Sequence, residues 1–416
     1  MKRKYLLTFM SILLLCAILF NLSGCLTVNA VDLMEGITPN TVEVKDDLDY
    51  ANKDITDFAV RLLQATEDGG NILISPISVM CALAMTANGA AGETLSQMEQ
   101  ALGMNIDELN EYLYSYMTGL PQGKKYKLSV ANSIWFSDDD KLIVNDSFLQ
   151  KNADYYGAEI YKTPFNNQTK SDINNWVKKE TDGMIPRILD DIPEEAIMYL
   201  INTLAFEAEW SAIYEDYQVR DGVFTTESGE KQNTEFMYCN EARYLSDDMA
   251  NGFIKYYNGG KYAFAALLPN EGVSVSEYMD SLNGEKLNEV LTSPQNVTVK
   301  TAIPKFKTEY EVEMSKVLSE MGMPTAFNVT FANFSKLGQY EEQNIYIGRV
   351  LHKTYIEVAE RGTKAGAVTV VEMKNGSAAP PDDLKVVYLD RPFIYMIIDT
   401  ENSIPLFIGT MTDIKK

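Results

Sequence analysis

A single histidine, His352, stands in a chain of 416 residues. A nucleophile activated by an imidazole base would depend on that one residue. No Gly-x-Ser-x-Gly elbow, His-Glu-x-x-His pair or phosphate-binding loop accompanies it. Adjacent acids such as Asp139-Asp140 and Asp190-Asp191 read as solvated loop charge. There is no Cys/His metal spacing, so neither a metal nor another cofactor is expected. What remains is a segment on which chemistry can be performed. Between Ile356 and Val371 an ordinary strand gives way to small residues. Thr363, Ala365, Ala367, Thr369 and Val371 are all uncharged and compact, and alternate residues share one face of a strand. Lys364, the one charge from Thr363 to Val371, falls on the other face. A polar linker has no face to bury and needs no such pattern. Downstream, Asn375 to Asp383 is turn and breaker chemistry. The segment is suited both to a loop and to entry into a crowded sheet.

The remaining pattern must supply that sheet. Residues from Asp49 onward form one large unit with no internal repeat. Ile55, Phe58, Ala59, Leu62 and Leu63 recur at helical spacing. Asn71 to Pro76 is a short buried strand, and Pro76 opens a helix that stops near Gly89. Thr94 to Leu102, Ile106 to Met117 and Ser315 to Met321 read as further helices. Met198 to Trp210 is a nearly continuous apolar run. Its periodicity also fits a helix, but we read a central strand buried on both faces. Phe253 to Leu268 is a hairpin about Asn258-Gly259-Gly260. Ile394 to Ile398 pairs with Pro405 to Gly409. The net charge of −23 argues against nucleic acid and anionic surfaces as partners.

Glu360-Arg361-Gly362-Thr363-Lys364-Ala365-Gly366-Ala367 resembles the reactive-loop hinge of the serpins, with Arg361 where the family has a second Glu. Ser75, Pro76, Ser78, Gly89, Ala90, Gly92 and Thr94 match a second family motif. Ala131-Asn132 resembles the family's Ala-Asn strand. Asn202, Phe206 and Trp210 match another strand, with Thr203 where Ala is usual. Pro304-Lys305-Phe306, Gly322-Met323, Ala326-Phe327 and Asp390-Arg391-Pro392-Phe393 follow in family order. The resemblance spans residues 49–414. It implies an α+β fold with a large central mixed β-sheet, two smaller sheets, about eight or nine helices and an exposed reactive loop over about 360–386.

The resemblance further implies a suicide-substrate inhibitor, not an enzyme, and a monomer. A target serine protease attacks the loop and forms a covalent acyl-enzyme. The cleaved loop then enters the main sheet. Glu360, Gly362, Thr363, Ala365, Ala367 and Thr369 would be the hinge. Ser75, Ser78, Asn202 and His352 would form a hydrogen-bonded shutter, and Trp210 would stand at the breach. Counting from Glu360 puts the scissile bond at Gly376-Ser377. Counting back from Pro392 moves it later within the window Asn375, Ala378, Ala379. These small residues suit the shallow pocket of an elastase-like protease, and subtilisin-like targets remain open. Met373 or Lys374 would serve in another register, Lys374 admitting a trypsin-like enzyme. The alternatives are a non-inhibitory serpin acting as a surface binding protein, and an unrelated substrate-binding lipoprotein.

Residues 1–24 read as a targeting segment: Lys2, Arg3 and Lys4 precede a mostly apolar stretch from Tyr5 to Leu22. Leu22-Ser23-Gly24-Cys25 resembles a bacterial lipobox, which implies lipidation of Cys25 and a stable two-chain anchor. Residues 25–48 are expected to be a tether and 49–416 the domain, held extracellularly on the bacterial cell membrane. Cys16 leaves with the signal. Cys81 and Cys239 then remain, open to a disulfide, although the apolar run around Cys81 favours a buried thiol.

Overall fold

The computed structural model describes residues 30–120, 125–192, 197–341, 344–363 and 384–415. Eighteen strands and nine α-helices lie among the described residues, a mixed α+β fold as expected. The strands are β1 (Val31–Asp32), β2 (Ile72–Ile74), β3 (Tyr126–Ser137), β4 (Leu142–Val144), β5 (Glu159–Thr163), β6 (Met198–Glu209), β7 (Val219–Thr225), β8 (Lys231–Ser246) and β9 (Ala250–Tyr256). They continue with β10 (Tyr262–Pro269), β11 (Gln295–Pro304), β12 (Phe306–Glu313), β13 (Gly338–Tyr340), β14 (Arg349–Ala359), β15 (Gly362–Thr363), β16 (Lys385–Tyr388), β17 (Phe393–Asp399) and β18 (Ile404–Met411).

The main sheet runs β1-β5-β3-β6-β15-β14-β12. It is mixed, because β6 is parallel to β14 while β3 and β12 flank that pair antiparallel. β6 is buried along nearly its whole length, which explains its continuous apolar sequence. A second, nine-stranded sheet runs β16-β11-β8-β9-β10-β17-β18-β2, with β7 paired to β8; β4 and β13 form a two-stranded sheet. Most of the core lies on one face of the main sheet, against the second sheet and the helices. Phe206 of β6 links the two sheets there, its ring 5.2 Å from Tyr257, 5.5 Å from Tyr262 and 6.5 Å from Phe407. The opposite face carries a smaller cluster, in which Ile173, Trp176 and Val177 of the helix Asn167–Glu180 cover Trp135, Tyr199, Ile201 and Leu351.

The helix Pro76–Ala87 is wholly buried. Its proline sits in the first turn, where no N–H is needed, and the Ser75 side chain accepts from the Ser78 N–H. This start fixes both serines under the middle of the main sheet. Residues 30–48, the described part of the segment read as a tether, dock on the domain. Val31 and Asp32 extend the sheet beside β5. The Asn40 N–H donates to the Asp154 carboxylate at 2.7 Å and the Lys45 N–H to Ser115 Oγ at 2.9 Å. These partners satisfy backbone groups, which is why a stretch poor in large apolar residues still follows the surface closely. Cys81 and Cys239 are both free thiols. Burial pushes the Cys81 thiol up to about 12.

Candidate functional site

The central strands of the main sheet stay together at one end and part at the other. β6 and β14 pair directly from Tyr199 opposite Arg349 to Leu204 opposite Thr354. Farther along, β15 stands between them. Gly362 is opposite Glu209 and Ala359, and Thr363 is opposite Ala208 and Val358, antiparallel to both neighbours. Among the described residues no ladder joins 205–207 to 355–357. The hinge therefore begins as a two-residue wedge inside the sheet.

Residue type makes the wedge fit. Gly362 has φ +152°, and a Cβ there would lie 1.9 Å from the Ala208 carbonyl oxygen, so only glycine is accommodated. Thr363 is fully buried, and its hydroxyl bonds Tyr257 Oη. The Trp210 indole N–H donates to the Ala359 carbonyl at 2.9 Å, and its ring stacks on Tyr257 at 4.3 Å. The backbone N–H groups of Trp210 and Tyr214 donate to the carbonyls of Arg361 and Glu360 at 2.8 and 2.9 Å. The Glu360 carboxylate pairs with Lys305 at 2.6 Å. Lys255, 2 % exposed, pairs with Glu241 at 2.9 Å and stands 4.5 Å from the Tyr214 ring centre.

Below the gap a polar row crosses an otherwise apolar face. His352, Asn202 and Asn132 are register partners on β14, β6 and β3. His352 Nε2 accepts from the Ser75 N–H at 3.1 Å, so its proton lies on Nδ1, which donates to Asn202 Oδ1. Asn202 Nδ2 donates to the Ser78 carbonyl and to Asn132 Oδ1, with Ser78 Oγ equally close. Ser78 Oγ reaches the Thr203 carbonyl at 3.4 Å. Burial pushes the His352 imidazole down to about 3, so the ring is neutral. The structure thus brings together Ser75, Ser78, Asn202 and His352, and places Trp210 beside Glu360, Gly362 and Thr363. Ala365, Ala367, Thr369, Asn375, Gly376, Ser377, Ala378, Ala379 and Cys25 lie outside the described residues. Sequence reasoning did not assign Tyr257, Lys305, Lys255 or Asn132 to the site. Asn132 carried a signal, since it is a polar residue within an apolar strand; the others are brought in by long-range packing.

A large mixed sheet, split at one end by the start of a long return segment and tied below by a buried polar row, defines a class of protein built around that split. The chain belongs to the serpin family: the family model described as Serpin (serine protease inhibitor) matches residues 53–414. Members of that family are protease inhibitors, although some serpins are non-inhibitory. The native-state crystal structure of a thermophilic serpin, tengpin, is 46% identical, covers 93% of this chain and 100% of its own, and superposes with a TM-score of 0.89. The latent-state structure of tengpin, also 46% identical, covers 90% of this chain and 100% of its own, with a TM-score of 0.79. The leukocyte elastase inhibitor of Equus caballus is 27% identical over 85% of this chain and 97% of its own length.

Two outcomes follow from this geometry. Gly362→Ala should expel the wedge or lower the melting temperature by several degrees, read by thermal unfolding and by proteolysis near residue 362; an unchanged profile would refute the close fit. Below pH 6.5 the unfolded chain protonates His352, whereas the folded protein resists protonation until about pH 3. Stability from this group is complete above pH 6.5 and falls by about 1.4 kcal/mol per pH unit through that window. His352→Gln should remove this component from the pH dependence of urea unfolding.

Proposed function

We propose that this protein is a suicide-substrate inhibitor of serine proteases with elastase-like or subtilisin-like specificity. The observation that carries the reading is the wedge of Gly362 and Thr363 between β6 and β14. Its register can be continued. Antiparallel extension pairs Ala365 with Phe206 and Ile356, Ala367 with Leu204 and Thr354, Thr369 with Asn202 and His352, and Val371 with Leu200 and Val350. All of these share the buried face of Thr363, so the compact residues meet the core. Insertion separates Asn202 from His352, and a threonine hydroxyl, donor and acceptor at once, arrives between them. The neutral imidazole loses one partner and gains another at low cost.

The same register supports the reading from the other face. Lys364 falls between Glu207 and Glu357. On the outer strands Glu207 aligns with Lys127 and Glu357 with Lys307. Insertion would complete a row of alternating charge across five strands, and opposite charges facing each other stabilise a ladder. The greater similarity to tengpin in the native state than in the latent state fits a chain whose loop has not yet entered.

In this mechanism the protease serine attacks the Gly376-Ser377 carbonyl and forms an ester, releasing the Ser377 amine. Insertion of the freed hinge carries the acyl-enzyme away before water completes hydrolysis. Small residues at 375–379 favour a shallow specificity pocket. We further propose that Cys25 is lipidated and holds the inhibitor on the outer face of the bacterial membrane.

Mixing the protein with elastase, subtilisin and trypsin should yield a complex stable on denaturing gels with at least one of the first two, and a released peptide beginning at Ser377. Clean cleavage by all three without a complex would instead favour a non-inhibitory surface protein. Lys364→Glu should slow insertion about ten-fold, at roughly 0.2–1 kcal/mol for each like-charge contact, and raise the number of inhibitor molecules consumed per protease; no change would sink the charge-row argument. Cys25→Ser should move the protein from the membrane fraction to the medium.

A further inference from the structure

The N-terminal segment leaves the domain at a defined corner. Ala30 packs against the small cluster beneath the helix Asn167–Glu180. Val31 and Asp32 pair antiparallel with Lys162 and Tyr161 of β5, and the Leu33 N–H donates to the Ile160 carbonyl at 2.8 Å. Leu33, Met34 and Ile37 then pack on the main core. Antiparallel pairing sends the residues before Val31 past Thr163, the last residue of β5. Thr163 lies opposite Ser137 of β3, and Phe136 lies opposite Met198, the first residue of β6. The chain therefore leaves at the closed end of the main sheet. The wedge of Gly362 and Thr363 stands at the other end, beside Ala208 and Glu209. Met198 and Ala208 are separated by roughly 33 Å of strand.

The distance from this corner to the anchor is short. Leu26, Thr27, Val28 and Asn29 are all that separate Cys25 from Ala30, about 17 Å between the two α-carbons at full extension. A lipidated Cys25 therefore keeps one corner of the domain next to the bilayer. Charge decides what the rest of the domain does. The chain carries 59 acidic and 36 basic residues, so an anionic lipid surface repels it. The closed end offers no exception. Asp138 lies 3.8 Å from Lys162, and Asp140 beside it is exposed. A body tied at one corner and repelled over its remaining surface turns that corner to the membrane and the rest away.

We propose that the closed end of the main sheet, around Thr163 and Asp138 to Asp140, faces the bilayer that holds the acyl chains, and that the hinge entrance points away from it. The inference rests on the lipidation of Cys25 put forward above. The short tether fixes nearness and repulsion fixes orientation, so no attraction between the domain and lipid is required. Thr363, from which the reactive loop sets out, then stands up to about 33 Å beyond the anchored corner. That height offers the loop to soluble proteases arriving from the medium rather than to enzymes whose active sites lie at the same lipid surface.

The test uses the full-length lipidated protein in vesicles of phosphatidylglycerol and phosphatidylcholine with an acceptor dye on their headgroups. A Cys239→Ala background leaves the buried Cys81 as the domain's own thiol. On that background Asp140→Cys and Ser211→Cys, both at exposed positions, carry a donor dye at the closed end and beside the wedge. Thermal unfolding at the parent's temperature checks that the labelled variants keep the fold. At low salt, energy transfer to the membrane should be about three-fold greater from residue 140 than from residue 211, given the strand length between them. The difference should narrow at about 0.5 M NaCl, where the screening length falls to a few ångströms. A Gly/Ser segment of about 20 residues inserted after Asn29, spanning about 25 Å as a flexible chain, should lower the transfer from residue 140 several-fold. Equal or reversed transfer at low salt overturns the orientation while leaving the anchor intact. So does undiminished transfer from residue 140 in the extended variant, which would mean adsorption instead of tethering. Protein that stays out of the vesicles, with an intact mass lacking acyl chains, overturns the lipidation of Cys25 and the orientation together.

Discussion

Two parallel strands at the centre of a sheet hold each other for six residue pairs and then separate. Everything else in the molecule is arranged around that separation. β6 and β14 have antiparallel neighbours on their outer sides, so their inward-facing backbone groups are the ones left without a regular ladder between the closed end and the wedge. Backbone donors and acceptors are obligatory bonding groups, and a ladder that stops short leaves part of this capacity unused. Gly362 and Thr363 occupy the entrance and keep the strands apart by one strand's width. The conformation is therefore not the one in which this sheet makes the most hydrogen bonds.

The polar row beneath the gap answers a second requirement. A sheet joined there by apolar side chains alone would have little to fix its alignment, whereas a row of amide, imidazole and hydroxyl groups joins only when each donor meets its acceptor. His352 is buried and neutral, so the row carries no charge to desolvate. Ser75 and Ser78 belong to a helix start rather than to the sheet, which ties the sheet's alignment to the packing of the helix Pro76–Ala87. At the entrance, Trp210, Tyr257 and Lys255 bring the second sheet into contact with the hinge.

Much of this was readable in the amino-acid sequence because the relevant signals are local. Pro76 after a short apolar strand, the apolar run of β6, the glycine turn before β10 and the alternating small residues after Gly362 each express a backbone constraint within a few residues. The cluster around His352 was legible only through the resemblance to the serpins, which implied that Ser75, Ser78 and Asn202 would gather about it; residue spacing alone does not join positions so far apart in the chain. Tyr257, Lys305 and Lys255 were not legible as hinge contacts. Each sits in or beside a strand pattern that any sheet protein could show, and only packing brings Lys305 to Glu360, Tyr257 to Thr363, and Lys255 to the rings of Trp210 and Tyr214. Residues 30–48 misled for a related reason. They are held by carboxylate and hydroxyl acceptors on distant helices, and such contacts leave no periodicity in the docked segment.

The stacking of Trp210 on Tyr257 has an optical consequence. Of the three tryptophans, Trp135 and Trp176 belong to the cluster under the helix Asn167–Glu180, remote from the entrance in the ladder. Trp210 alone bonds the last residue of β14 while lying against a ring that bonds the hinge, with the Lys255 ammonium 5.3 Å from its centre. An indole excited state is sensitive to a nearby cation and to the polarity around its N–H. The wavelength of emission from this one side chain therefore reads the state of the strand gap from within, without any attached label.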